Sequence, residues 1–250
     1  MRLVLLSNST NFGGGYLDHA AAAIEALFAG VRRIGFVPFA IQDQAGYHER
    51  VVSRFRSFGI DVVRINEGPE GKRAVDAIEG IFIGGGNTWR LLDKLQRAAL
   101  IAPIRARVRA GLPYLGSSAG TGVAAPTIMT TNDMPIARPE SFESLGLVPF
   151  QLNCHYMDPD PASKHMGETR ETRLREYHEE NATPVVGLRE GSWLEVDDGG
   201  AQTAGAAAVD AGAARKARVL LRGPHKARIF RRGAEPFEAA PDTVLDPLVL

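Results

Sequence analysis

The chain has 250 residues, 44% of them hydrophobic and 23% charged, and its 29 Lys and Arg residues balance 29 Asp and Glu residues. Such a composition suits a globular protein with a sizeable core, and the lack of net charge or of a basic cluster argues against nucleic acid as a partner. Cys154 is the single cysteine, which excludes an intrachain disulfide and a paired-thiolate metal site and implies a reducing compartment. The apolar run at 3–6 is too short for a secretory segment, and no run reaches the ~18 apolar residues of a membrane span. The expected location is cytoplasmic, with no membrane partner.

Short apolar runs alternate with longer amphipathic stretches, the pattern of βα units around a largely parallel sheet. Strands are expected at 3–6, 34–37, 62–65, 81–83 and 114–115, and helices at 17–28, 44–58 and 87–95, giving five β-then-α steps in the first half. A helix is expected over 164–180. Beyond it, 193–196, 219–221 and 227–231 read as short antiparallel strands that extend or edge the same sheet, with a turn at 197–200. The Ala-rich stretch 205–217 and the tail 234–250, which holds Pro236, Pro241 and Pro247, are expected to be loose. The organisation is that of one α/β domain spanning 1–250.

The most informative segment runs from the strand at 114–115 into Gly116, Ser117, Ser118, Ala119 and Gly120, the pattern G-x-S-x-G. A sharp strand-to-helix turn crowds the backbone, so small residues must flank a serine whose hydroxyl is pushed out at the carboxyl edge of the sheet. The amide after Ser118 and the positive end of the following helix then face developing negative charge. A second glycine-rich turn, Gly84, Gly85 and Gly86 before Asn87 and Thr88, also follows a strand and opens a helix, so its amides can hold an anion. It lacks the lysine of a P-loop and the spacing of a dinucleotide fingerprint.

His155, at the end of an apolar run, is the candidate base; the other five histidines fall in polar helical stretches or a turn. Two acids qualify to orient it. Asp133 would preserve the chain order Ser, Asp, His, whereas Glu190 follows the apolar run 185–188 and precedes a glycine. Spacing does not choose between them, because triads are defined by geometry. Asp158 and Asp160 lie near His155, but no metal-ligand spacing is present and no metal is expected.

Six ordered motifs carry a resemblance: GGGNT at 84–88, the Ser118 elbow, TTNDMPI at 130–136, N-x-H at 153–155, GETR at 167–170 and EGxW at 190–193. LLSNST at 5–10 and VPFA at 37–40 agree with it. Over roughly the first 200 residues the chain resembles the peptidase E family of aspartyl dipeptidases. The resemblance implies a fold similar to class I glutamine amidotransferases: a mostly parallel central sheet, helices on both faces and antiparallel strands toward the C-terminus. It also implies hydrolysis of dipeptides with an N-terminal aspartate, with Ser118 as nucleophile, His155 as base and no cofactor.

By the EGxW match the triad acid falls on Glu190, while Asp133 occupies a position also regarded as essential. The oxyanion hole falls on Gly85 or Gly86 together with Ala119, and substrate contacts fall on Asn87 and Arg170. A guanidinium suits this task, since it binds a carboxylate through two parallel hydrogen bonds. Ser117, Thr121 and Cys154 depart from the family pattern, which has a bulkier aromatic, an Asn and a Pro at those places. The partner is a small peptide, and the oligomeric state is left open, with a homodimer among the options. Two other readings stand beside this one: a serine hydrolase of aspartyl-arginine polymer, similar to cyanophycinase, and a non-catalytic module that binds a small acidic ligand.

Overall fold

Parallel strands buried on both faces read as near-continuous apolar runs, and four of the first five strands are buried along their whole length or at all but the first residue. The computed structural model describes residues 1–162, 164, 166–199 and 218–245. In chain order, β1 (Arg2–Leu6) leads through a short 3-10 turn (Asp18–Ala20) into α1 (Ala21–Leu27), followed by β2 (Arg33–Val37), α2 (Gln44–Arg56), β3 (Asp61–Arg64) and α3 (Pro69–Ala77). Next come β4 (Gly80–Ile83), α4 (Thr88–Arg97), α5 (Ile101–Arg109), β5 (Tyr114–Ser117) and the single turn α6 (Ala119–Gly122). The remainder comprises β6 (Gln151–Cys154), α7 (Arg170–Glu180), β7 (Val185–Leu188), β8 (Trp193–Asp197), β9 (Arg218–Arg222), β10 (Ala227–Phe230) and β11 (Phe237–Ala239).

Among the described residues the strands form two sheets. The larger has the order β3-β2-β4-β5-β1-β8-β9, parallel from β3 to β1 and antiparallel at β8 and β9. Successive side chains point to opposite faces of a strand, so Val4, Leu6, Phe36 and Phe82 pack against α1 and α2. Leu3, Leu5, Ile81 and Ile83 pack on the other face against α3, α4 and α5. The smaller sheet, β11-β10-β7-β6, buries Leu152, Val186, Leu188 and Ile229 in that same second core.

The expectation that all late strands edge one sheet is therefore corrected: β8 and β9 do so, whereas β10 and β11 join β6 and β7. Pairing of β10 with β7 runs Ala227 to Leu188 through Phe230 to Val185, a long-range register that local sequence does not encode. The helix expected from residue 164 begins at Arg170, where the Thr169 hydroxyl accepts from the Thr172 amide and caps it. The stretch 205–217 lies outside the described residues.

The tail also differs from expectation as far as residue 245. Phe237–Ala239 is a strand, the Leu245 amide donates to the Val219 carbonyl at 2.8 Å, and the Leu245 side chain is fully buried in the larger core. Prolines at 236 and 241 flank β11, where a missing N–H is tolerated. Replacing Leu245 by Ala is expected to lower unfolding free energy by about 3 kcal/mol, the cost of an unfilled core site, in urea denaturation. A loose tail would leave the midpoint unchanged.

Candidate active site

The two glycine turns meet because β4 and β5 are neighbours, with Ile83 paired to Gly116. At the end of β5 the chain turns so sharply that Ser118 adopts φ 52°, ψ −110°, a conformation that costs a non-glycine residue roughly 1–3 kcal/mol. The flanking glycines make this turn sterically allowed. A Cβ on Gly120 would lie 1.9 Å from the Ile83 carbonyl oxygen, and one on Gly116 would lie 2.7 Å from the Gly120 oxygen. The Ser118 amide and the Thr121 hydroxyl both donate to the Leu6 carbonyl, at 3.0 and 2.7 Å, and so tie the elbow to β1. Thr121, one of the departures from the family pattern, thus has a defined partner.

His155 follows β6 directly and has φ 54°, which turns its ring toward the elbow. The Ser118 hydroxyl lies 2.8 Å from its Nε2, and its Nδ1 lies 2.6 Å from Glu190 Oε1. With the Nδ1 proton donated to the carboxylate, Nε2 is free to accept the serine proton. The Glu190 side chain is 61% exposed, so this ion-pair geometry orients the ring and adds little stability.

Asp133 does not meet the imidazole. Its Oδ2 accepts from the amide and the hydroxyl of Thr88, at 2.7 and 2.6 Å, and its backbone oxygen accepts from the Trp89 indole. A carboxylate at the first amide of α4 is favoured by the helix terminus and clamps the 130–136 loop onto the second glycine turn. Two further candidates have partners within the protein. Asn87 uses both ends of its amide within the protein, accepting from the Arg90 amide to cap α4 and donating to the Met134 carbonyl. The Gly85 amide donates to the Tyr47 hydroxyl at 2.9 Å, so it is already engaged.

A cleft lined by Thr88, Ser118, Asp133, Cys154 and His155 opens at this junction. Arg170 lies within electrostatic reach of Asp133. Burial, and then repulsion from Arg173, hold its guanidinium below the usual arginine range, against the pull of Asp133. Among the described residues no carboxylate forms an ion pair with it, whereas Glu171 and Arg175 on the same helix pair at 3.0 Å. Several supporting groups escaped sequence reasoning. Ser7 donates to the Leu188 carbonyl and accepts from the His155 amide, and Asn8 accepts from the Gly191 amide. Their signal was position, immediately after a central strand, where α/β folds assemble their sites.

An elbow hydroxyl facing an imidazole that in turn faces a carboxylate is the arrangement of a serine hydrolase. Comparison with known proteins narrows the class. Residues 3–204 match the sequence model of peptidase family S51, and the chain belongs to that family. It is 48% identical over 249 residues to a peptidase E of Streptomyces coelicolor, covering 100% of this chain and 95% of the relative. A Drosophila melanogaster protein named "Probable alpha-aspartyl dipeptidase" is 47% identical over 197 residues, covering 78% of this chain and 82% of its own. The crystal structure of a peptidase from an acI-B1 Actinobacterium shares the fold, with a TM-score of 0.68 at 16% identity over 97% of this chain and 95% of the other.

Cys154 lies beside the site without the character of a nucleophile. Its thiol donates to the Ser118 carbonyl, and burial, with the Asp133 charge adding, pushes its pKa far above the usual thiol range. In the native protein Cys154 is expected to react with a maleimide on the order of 10²-fold more slowly than in the urea-unfolded chain. Equal rates would show a thiol that is open to solvent.

Proposed function

We propose that the protein is a serine dipeptidase that releases N-terminal aspartate from Asp-Xaa through an acyl-enzyme on Ser118. The observation that carries this reading is the continuous chain from the Ser118 hydroxyl through His155 to Glu190, at 2.8 and 2.6 Å, with the part-buried Arg170 within electrostatic reach of the cleft residue Asp133. The names of the 48% and 47% identical relatives support the substrate class.

In the first half-reaction His155 Nε2 takes the hydroxyl proton as Ser118 Oγ attacks the scissile carbonyl. The Ala119 and Gly86 amides are assigned to the resulting oxyanion, since Gly85 already serves Tyr47. The imidazolium, steadied by Glu190, then protonates the leaving amine, and the C–N bond breaks. Water attacks the aspartyl ester by the same steps in reverse, returning the proton to Ser118.

Arg170 is assigned to the substrate's β-carboxylate. A partly desolvated cation that no carboxylate of the described residues pairs with directly is costly, and an arriving carboxylate offsets that cost, whereas an amide of the same shape does not. Asp133 is assigned to support of the second glycine turn through Thr88.

Ser118→Ala is expected to fold normally and to lose activity on Asp-Leu by roughly 10⁴-fold or more, as nucleophile deletions do in hydrolytic triads. Substantial turnover by that variant would reject the serine mechanism. With Asp-Leu, Glu-Leu, Asn-Leu and Ala-Leu as a panel, Arg170→Met is expected to reduce kcat/KM for Asp-Leu by about 10²-fold while leaving action on Ala-Leu nearly unchanged. Equal losses across the panel would remove Arg170 from the recognition of aspartate.

A further inference from the structure

The Glu190 carboxylate has little packing of its own, so its position is inherited from the backbone between β7 and β8, where the chain leaves one sheet for the other. The neighbouring residue anchors that backbone. The Arg189 side chain is 17% exposed. Its Nε and Nη2 donate to the two oxygens of Asp158 at 2.9 and 2.8 Å. Nη1 and Nη2 donate to the two oxygens of Glu238 at 2.9 Å each, and Nη1 also donates to the Lys226 carbonyl at 2.6 Å. All five N–H groups of the guanidinium are thereby used, and its Cζ lies 5.3 Å from the centroid of the Tyr156 ring.

These partners belong to different parts of the site. Asp158 lies three residues beyond His155 on the segment leaving β6, Lys226 immediately precedes β10, and Glu238 is in β11. Because Cys154 pairs with Leu188 across β6 and β7, His155 and Arg189 leave the two strands side by side. We infer that Arg189 is a positioning residue that sets the spacing between His155 and Glu190, and that β11 supports the site through Glu238. The inference rests on the Ser118, His155 and Glu190 reading above.

Charge makes the arrangement directional. Asp158 and Glu238 are drawn together by Arg189, with Arg228 3.5 Å from Glu238 as a second cation. Without Arg189, Asp158 would lose its bidentate partner and Glu238 would keep only Arg228, which already pairs with Glu171 at 3.0 Å, so the segments that carry His155 and Glu190 would separate. Lysine keeps the charge but has three donors at one point, so it cannot bridge two carboxylates in the planar manner of a guanidinium.

The test measures kcat and KM on Asp-Leu for Arg189→Met, Arg189→Lys and Glu238→Gln, each alone and combined with Glu190→Gln, with thermal midpoints alongside. Arg189→Met is expected to lower kcat by about 10²-fold, the effect of an ångström-scale misplacement, with KM changed less than about threefold. Arg189→Lys restores little of that loss. In the Glu190→Gln background, Arg189→Met should cost no more than about threefold further, because the two residues act as a unit. The same loss in both backgrounds, or an unchanged kcat, overturns the inference. Should Arg189→Met fail to fold, Glu238→Gln is expected to lower kcat by about fivefold only when Glu190 is present, and a loss independent of Glu190 overturns it equally. A Glu190→Gln enzyme with full kcat refutes the triad reading itself.

Discussion

The site depends on how closely two backbones can approach between β4 and α6. Gly120 packs against the carbonyl of Ile83 with no room for a methyl group, and that contact lets the chain reverse within one residue at Ser118. Strain at this residue is held by its surroundings. The buried Tyr114 hydroxyl donates to the Gly120 carbonyl, and the Leu6 carbonyl receives two bonds from the elbow. Tyr114 itself is driven well above the ordinary tyrosine range by burial, so it stays a neutral donor. The Ser118 hydroxyl is thus carried on a rigid element, and the conformational cost is met by contacts formed when the sheet assembles.

Around that elbow the labour is divided between the two sheets. The larger one presents the hydroxyl and both glycine turns, and the smaller one presents the imidazole at the end of β6. Glu190 sits on the crossing between them. Small shifts of one sheet against the other would change the distance between His155 and Glu190, and the crossing is densely bonded: Ser7 to Leu188 and His155, Asn8 to Gly191, and Arg189 to three segments. Electrostatics follows the same logic. Carboxylates around Ser118 and His155 are already engaged, Glu190 by His155, Asp133 by Thr88 and Asp158 by Arg189, and among the described residues none of them forms an ion pair with Arg170.

Much of this was legible beforehand because it is local. Alternation of apolar runs with amphipathic stretches reports burial on two faces of a parallel sheet, and the five βα units appear where those runs fall. Small residues around Ser118 report a crowded turn. Groups whose role depends on a partner's orientation were harder to read: Asn87 looked available for a ligand but caps α4 and holds Met134, and Gly85 looked available for an oxyanion but is held by Tyr47. A side chain or amide that is already satisfied looks the same in sequence as one that is free.

The choice between Asp133 and Glu190 marks the boundary. Both follow motifs beside the site, and both lie near His155 in space, so residue type and spacing left them equal. The pairing of β6 with β7 brings Glu190 to the imidazole, and the clamp onto Thr88 turns Asp133 away. Sequence alone therefore located the strands of the first half, the elbow serine and the histidine, since each follows from backbone sterics or burial within a few residues. Only the tertiary structure decided which carboxylate meets the imidazole, the second sheet and the packed β11, because these depend on strand register across large separations in the chain, where one residue of slip sends every side chain to the opposite face.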